Sequence, residues 1–70
     1  MIETLSPREV EILKCLGRGL RNKEMAAELL VAESTVKTHI YRMLTKLGAR
    51  NRTEAVDLGW RHGYLGGDER

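Results

Sequence analysis

The sequence predicts an all-α domain of four short helices, and three observations carry that expectation. Apolar residues recur at helical spacing, no segment alternates as a strand would, and start and stop signals divide the 70 residues into four stretches. A hydrophobic share of 41%, with one Trp, two Tyr and no Phe, supports a small Leu-based core. Such a core lies near the lower size at which a domain holds without disulfides or metal. One domain over residues 1–70 is expected, with residues 66–70 (GGDER) as a flexible tail.

The first helix opens at Ser6-Pro7-Arg8-Glu9, where Ser6 caps, Pro7 suits the first helical position and Glu9 reaches back to complete a capping box. Val10, Ile12, Leu13 and Leu16 turn inward, and the helix stops near Gly17 or Gly19. A second, short helix begins near Asn22, with Met25, Ala26, Leu29 and Leu30 on its buried side. Ala26 and Ala27 allow close approach of another helix. Because the connection at residues 30–33 is only a few residues long, the second and third helices must cross tightly, as in a helix-turn-helix pair.

Residues 33–48, ESTVKTHIYRMLTKLG, form the third helix. Val36, Ile40, Met43, Leu44 and Leu47 fall at i, i+4, i+7, i+8 and i+11 and make one apolar stripe. Ser34, Thr38, Tyr41, Arg42 and Thr45 lie opposite, flanked by Thr35, Lys37, His39 and Lys46, all able to hydrogen-bond outward. Gly48 ends this helix. Asn51-Arg52-Thr53-Glu54 repeats the capping-box pattern and opens a fourth helix. Its apolar side is Ala55, Val56, Gly59 and Trp60, with Gly63 as its stop.

The formal charge is only +2, but it is unevenly placed. From Thr35 to Arg52 there are five bases (Lys37, Arg42, Lys46, Arg50 and Arg52) and no acid, whereas residues 1–34 hold six acids against five bases. A surface helix serving only solubility would alternate its charges. A dry back with a cationic, donor-rich front suits the major groove of double-stranded DNA, where phosphates flank base edges that offer acceptors.

In order and spacing, LSPREVEIL, GLRNKEMAAELL and ESTVKTHIYRMLTKLGARNRTEAV closely resemble the LuxR-type helix-turn-helix DNA-binding domain of bacterial transcription regulators. The resemblance covers nearly the whole chain. It implies sequence-specific binding to double-stranded DNA as the output domain of a regulator, with the recognition helix (about 33–47) in the major groove and the second helix bracing it. It also implies a homodimer on DNA through the fourth helix, with RNA polymerase as a further candidate partner. Lys37, Thr38 and Tyr41 fall where the family reaches base edges. Thr35, His39 and Lys46 fall where it often touches phosphate, and Lys23 stands similarly at the start of the second helix. The helical wheel puts Ser34, Thr38, Tyr41 and Arg42 on one exposed ridge, and Ser34 is taken with the base-reading group and Arg42 with the backbone group. For the dimer contact, Leu58 and Arg61 do not fit the inward stripe of the fourth helix, while Trp60 is either core or an exposed anchor. His39 likewise has two readings, a phosphate contact or packing against the second helix.

Two positions depart from the family pattern. Ala32 stands where relatives often place a capping Ser, a loss of about 0.5–2 kcal/mol. Glu33 offsets part of it through the helix dipole, or Ser34 caps a later start. Arg21 also replaces a common Ser, which makes Asn22 the better expected cap of the second helix.

Other classes find little support. The single Cys15 reads as a small buried hydrophobe, and with two distant His it shows no zinc spacing, so no metal or cofactor is expected. No nucleophile–base pair or phosphate loop points to an enzyme. No apolar run reaches the length of a membrane span, and the polar first residues do not argue for export, so a cytoplasmic, non-membrane protein is expected. The rival reading is a protein-interaction module whose third helix docks on an acidic protein surface.

Overall fold

The computed structural model describes residues 4–66, and residues 67–70 of the tail expected at 66–70 lie outside them. The described residues form four helices and no strand: α1 (Pro7–Gly17), α2 (Asn22–Leu29), α3 (Glu33–Leu47) and α4 (Arg52–Arg61). The longest, α3, packs against all three others, and α4 also packs on α1.

Each boundary has a local cause. At α1, Ser6 Oγ accepts the Glu9 backbone N–H at 3.1 Å while Glu9 Oε1 accepts the Ser6 N–H at 2.8 Å, so the expected capping box forms. At α2 the cap is Arg21, not Asn22. Arginine has no acceptor for the first-turn amides, so only the reverse half of a box exists, with Glu24 Oε1 accepting the Arg21 N–H at 2.7 Å. Asn51 caps α4 by accepting the Glu54 N–H at 2.8 Å. The Glu54 carboxylate, however, takes the N–H of Arg50 at 2.6 Å, one residue beyond the expected box. The cap of α3 is Ala32, which offers no side-chain acceptor, so Ser34 does not cap a later start.

The core is built from Ile12, Leu13, Met25, Val36 and Met43, all fully buried, with Leu16, Ile40, Leu47 and Ala55 around them. Burying each large side chain stabilises the fold by about 1.5–3 kcal/mol before entropy is counted. Cys15 is buried as expected, and burial pushes its thiol pKa up. Gly59 permits the approach of α4 to α1: a Cβ there would lie 3.0 Å from both Leu13 Cδ2 and Leu65 Cδ1.

Four expectations need correction. Leu30 is not buried. It is 89% exposed, in the left-handed conformation (φ 60°), and forms the C-cap of α2. The reversal into α3 requires that backbone, which turns the side chain out. Ala27 is also exposed, so only Ala26 provides the small contact surface. Leu58 is half-buried against the core rather than free on the outer side. Gly66, expected to begin a flexible tail, is buried with its backbone against the Trp60 ring.

The uncapped start of α3 is directly testable. Ala32 already has the extended backbone of a cap (φ −72°, ψ 153°), so Ala32→Ser should add an acceptor without strain and stabilise the domain by about 0.5–2 kcal/mol. The check is the denaturant midpoint, which should rise with an unchanged slope.

Candidate nucleic-acid interface

The face of α3 opposite its apolar stripe is free of the other helices. Ser34, Lys37, Thr38, Tyr41, Arg42 and Thr45 are exposed, while Thr35, His39 and Lys46 are half-buried. Tyr41 is 71% exposed, unusual for a large ring. The hydroxyl groups are less free than the sequence implied. Thr38 Oγ1 donates to the Ser34 carbonyl at 3.1 Å, and Thr45 Oγ1 donates to the Tyr41 carbonyl at 3.0 Å. This back-bonding commits the hydroxyl proton and fixes the rotamer. Thr38 therefore presents a lone pair and a methyl group, a surface suited to a cytosine or adenine amino group or to a thymine methyl.

The five bases from Thr35 to Arg52 are not equivalent. Lys46 Nζ lies 2.9 Å from Glu9 Oε1, turned toward α1. Arg50 pairs with Glu54 at 3.4 Å on the surface, and Arg52 Nη2 contacts Asn22 Oδ1 at the start of α2. Among the described residues, Lys37 and Arg42 on α3 and Lys23 on α2 make no ion pair and are exposed. The pairing of Lys46 joins residues 37 apart and carries no signal in sequence spacing. The cation expected to face phosphate at that end of α3 is thus held by a buried carboxylate.

That carboxylate is the one charged group buried among the described residues. Burial pushes the Glu9 pKa up, but the N–H of Ser6 and the ammonium of Lys46 together outweigh it and hold the group below its ordinary 4.5. Glu54, more exposed, is lowered chiefly by the N–H of Arg50.

On α4, Trp60 is 53% exposed even with Gly66 against its ring. It therefore belongs to the outer side of the helix more than to the core. Arg61 is exposed and pairs with Asp57 at 3.0 Å, an exposed i,i+4 pair of small energetic weight. Of the three residues expected at a dimer contact, Leu58 is thus half occupied by its own core, Arg61 is locally paired, and Trp60 presents the largest apolar surface.

No helix of the described residues is long and apolar enough to cross a membrane, and none of their His, Cys, Asp and Glu side chains cluster as metal ligands.

A short α2, a tight left-handed turn and a longer α3 with a bare polar face define a helix-turn-helix domain. Residues 3–58 match the family described as bacterial regulatory proteins, luxR family. The chain belongs to that family, one of DNA-binding transcription regulators rather than enzymes. It is 46% identical over 65 residues to the uncharacterized transcriptional regulatory protein YxjL of Bacillus subtilis, a match covering 93% of this chain and 30% of that protein. Among solved structures it is similar to the response regulator ChrA of a heme-sensing two-component system, with a TM-score of 0.86 and 42% identity over 93% of this chain and 32% of that one. It is also similar to the transcription factor GerE, with a TM-score of 0.83 and 35% identity over 89% of this chain and 92% of GerE. The chain thus spans less than a third of YxjL and ChrA but matches nearly the whole of GerE.

The Glu9 carboxylate makes a pH prediction whose sign follows from its lowered pKa. A carboxylate with a folded pKa below its unfolded value contributes stability that is fully present above the unfolded value, and this is lost as pH falls through the folded one. The wild type should therefore be more stable than Glu9→Gln at neutral pH, with the gap closing as pH falls below about 4.5. Thermal midpoints of both proteins across that range check it. A gap independent of pH would remove the charge of Glu9 from the account.

Proposed function

We propose that this domain binds double-stranded DNA sequence-specifically as the output module of a bacterial transcription regulator, with α3 lying in the major groove. The carrying observation is the division of α3. Its Val36, Ile40, Met43 and Leu47 side is spent on the core, while Lys37 and Arg42 project unpaired from a side rich in hydroxyl groups. A helix about 10–12 Å across fits a major groove about 12 Å wide. In this reading Lys37, Thr38, Tyr41 and Ser34 face base edges, and Lys23, Thr35, His39 and Arg42 face phosphates. Tyr41, exposed in the free domain, gains a contact with a base edge or a thymine methyl.

Selection from a random duplex pool should yield a preferred site, and binding to it should fall linearly in log–log form as salt rises. A docking module for acidic proteins would show no preferred duplex. On the selected site, Lys37→Ala or Thr38→Ala should lower discrimination against random DNA by about 1–3 kcal/mol where a direct contact is lost. Arg42→Ala should weaken both duplexes alike and reduce the salt slope by about 0.9. Uniform weakening by Lys37→Ala would remove that residue from base reading.

The same reading includes pairing on DNA through α4, anchored by Trp60. A domain this small has little apolar surface to spare for a permanent interface, but a shared duplex raises the effective concentration so that a weak contact suffices. Two copies should then occupy half-sites about 10 base pairs apart from centre to centre. Sedimentation with and without a palindromic duplex should show two-to-one binding on DNA and monomer alone, and Trp60→Ala should abolish the two-to-one species. Unchanged affinity after insertion of half a turn between half-sites would refute the pairing.

A further inference from the structure

We propose that Glu9, on α1, is a positioning residue for DNA recognition, and that Lys46 serves recognition by locking onto Glu9 rather than by touching phosphate. The proposal rests on the DNA reading above. Among the described residues, the Lys46–Glu9 pair is the only side-chain hydrogen bond or ion pair that leaves α3 for another element. The hydroxyl bonds of Thr38 and Thr45 stay within the helix, and the start of α3 has no side-chain cap. The core contacts that hold α3, through Val36, Ile40, Met43 and Leu47, are apolar and non-directional. A charge-assisted hydrogen bond is directional.

The geometry gives that bond a firm seat. Glu9 is 5% exposed at its side chain, and the Oε1 atom that receives Lys46 Nζ at 2.9 Å also receives the Ser6 N–H at 2.8 Å. Ser6 Oγ in turn holds the Glu9 N–H. One oxygen therefore ties the first turn of α1 to the last turn of α3, and the capping box keeps it from swinging to follow a moving lysine. Lys46, 30% exposed at its side chain, spends its ammonium toward the core side while its neighbours Arg42 and Thr45 face outward. Base contacts tolerate little displacement, whereas phosphate attraction falls off slowly with distance. Loosening the pair should thus blur base reading first and leave general DNA affinity largely intact.

The test measures wild type, Lys46→Met, Lys46→Arg and Glu9→Gln on the duplex selected by the wild type and on random duplex, across a salt series, at a temperature where circular dichroism shows each fully folded. Met keeps the aliphatic stem of Lys46 and removes its charge. Gln at position 9 can still accept from Ser6, so the cap survives without the ion pair. Lys46→Met and Glu9→Gln should each lower the ratio of selected to random affinity about tenfold, the scale of one lost base contact. The salt slope of Lys46→Met should be unchanged, and Lys46→Arg should restore the ratio. Loss of stability alone would not move that ratio in folded protein. A slope for Lys46→Met lower by about 0.9 with an unchanged ratio would make Lys46 a phosphate contact and overturn the proposal. A ratio and slope both unchanged would overturn it as well. Failure of the wild type to select any duplex would sink the DNA reading itself, an outcome distinct from either.

Discussion

Everything in this domain follows from the need of one 15-residue helix, α3, to bury a stripe of Val36, Ile40, Met43 and Leu47. Two neighbours of 11 and 8 residues and one of 10 are what the chain offers to cover it, and all three pack there. With its partners gathered on one side, the opposite side of α3 stays bare. The bare polar face is thus a consequence of core packing. The same contacts that supply stability aim the polar ridge outward, so a mutation in the stripe would disturb both together.

Charge is sorted by the same geometry. Lys46, at the edge of the stripe, meets Glu9 beneath α1, whereas Lys37 and Arg42 make no ion pair among the described residues. A buried carboxylate is costly without donors, and here the Ser6 N–H and the Lys46 ammonium supply them. The pair makes a directional link in a core otherwise held by non-directional contacts. Exposed pairs such as Arg61–Asp57 and Arg8–Glu11 contribute little.

Stability is surrendered where α2 meets α3. Leu30 adopts a left-handed backbone, which costs about 1–2 kcal/mol for a residue with a Cβ, and leaves its side chain in water. Ala32 then starts α3 without a side-chain cap. Both concessions lie in the turn that sets the crossing of the two helices. The chain keeps that reversal tight through the Val31 N–H, which returns to the Ala26 carbonyl at 3.0 Å.

The sequence by itself determined the four helices, the stripe of α3, the capping box of Ser6 and Glu9 and the exposed ridge of Ser34, Thr38, Tyr41 and Arg42. These depend on residues three or four apart, which any helix brings together whatever surrounds it. Only the tertiary structure decided that Lys46 turns to Glu9, that Arg52 reaches Asn22, that Leu58 is half-buried, that Gly66 seats under Trp60 and that Leu30 faces water. The first four join positions on different helices or beyond a helix end. The last follows from a backbone conformation forced by the turn. Periodicity along one helix contains no information about the distance to another, so these choices were made when the helices closed on a common core.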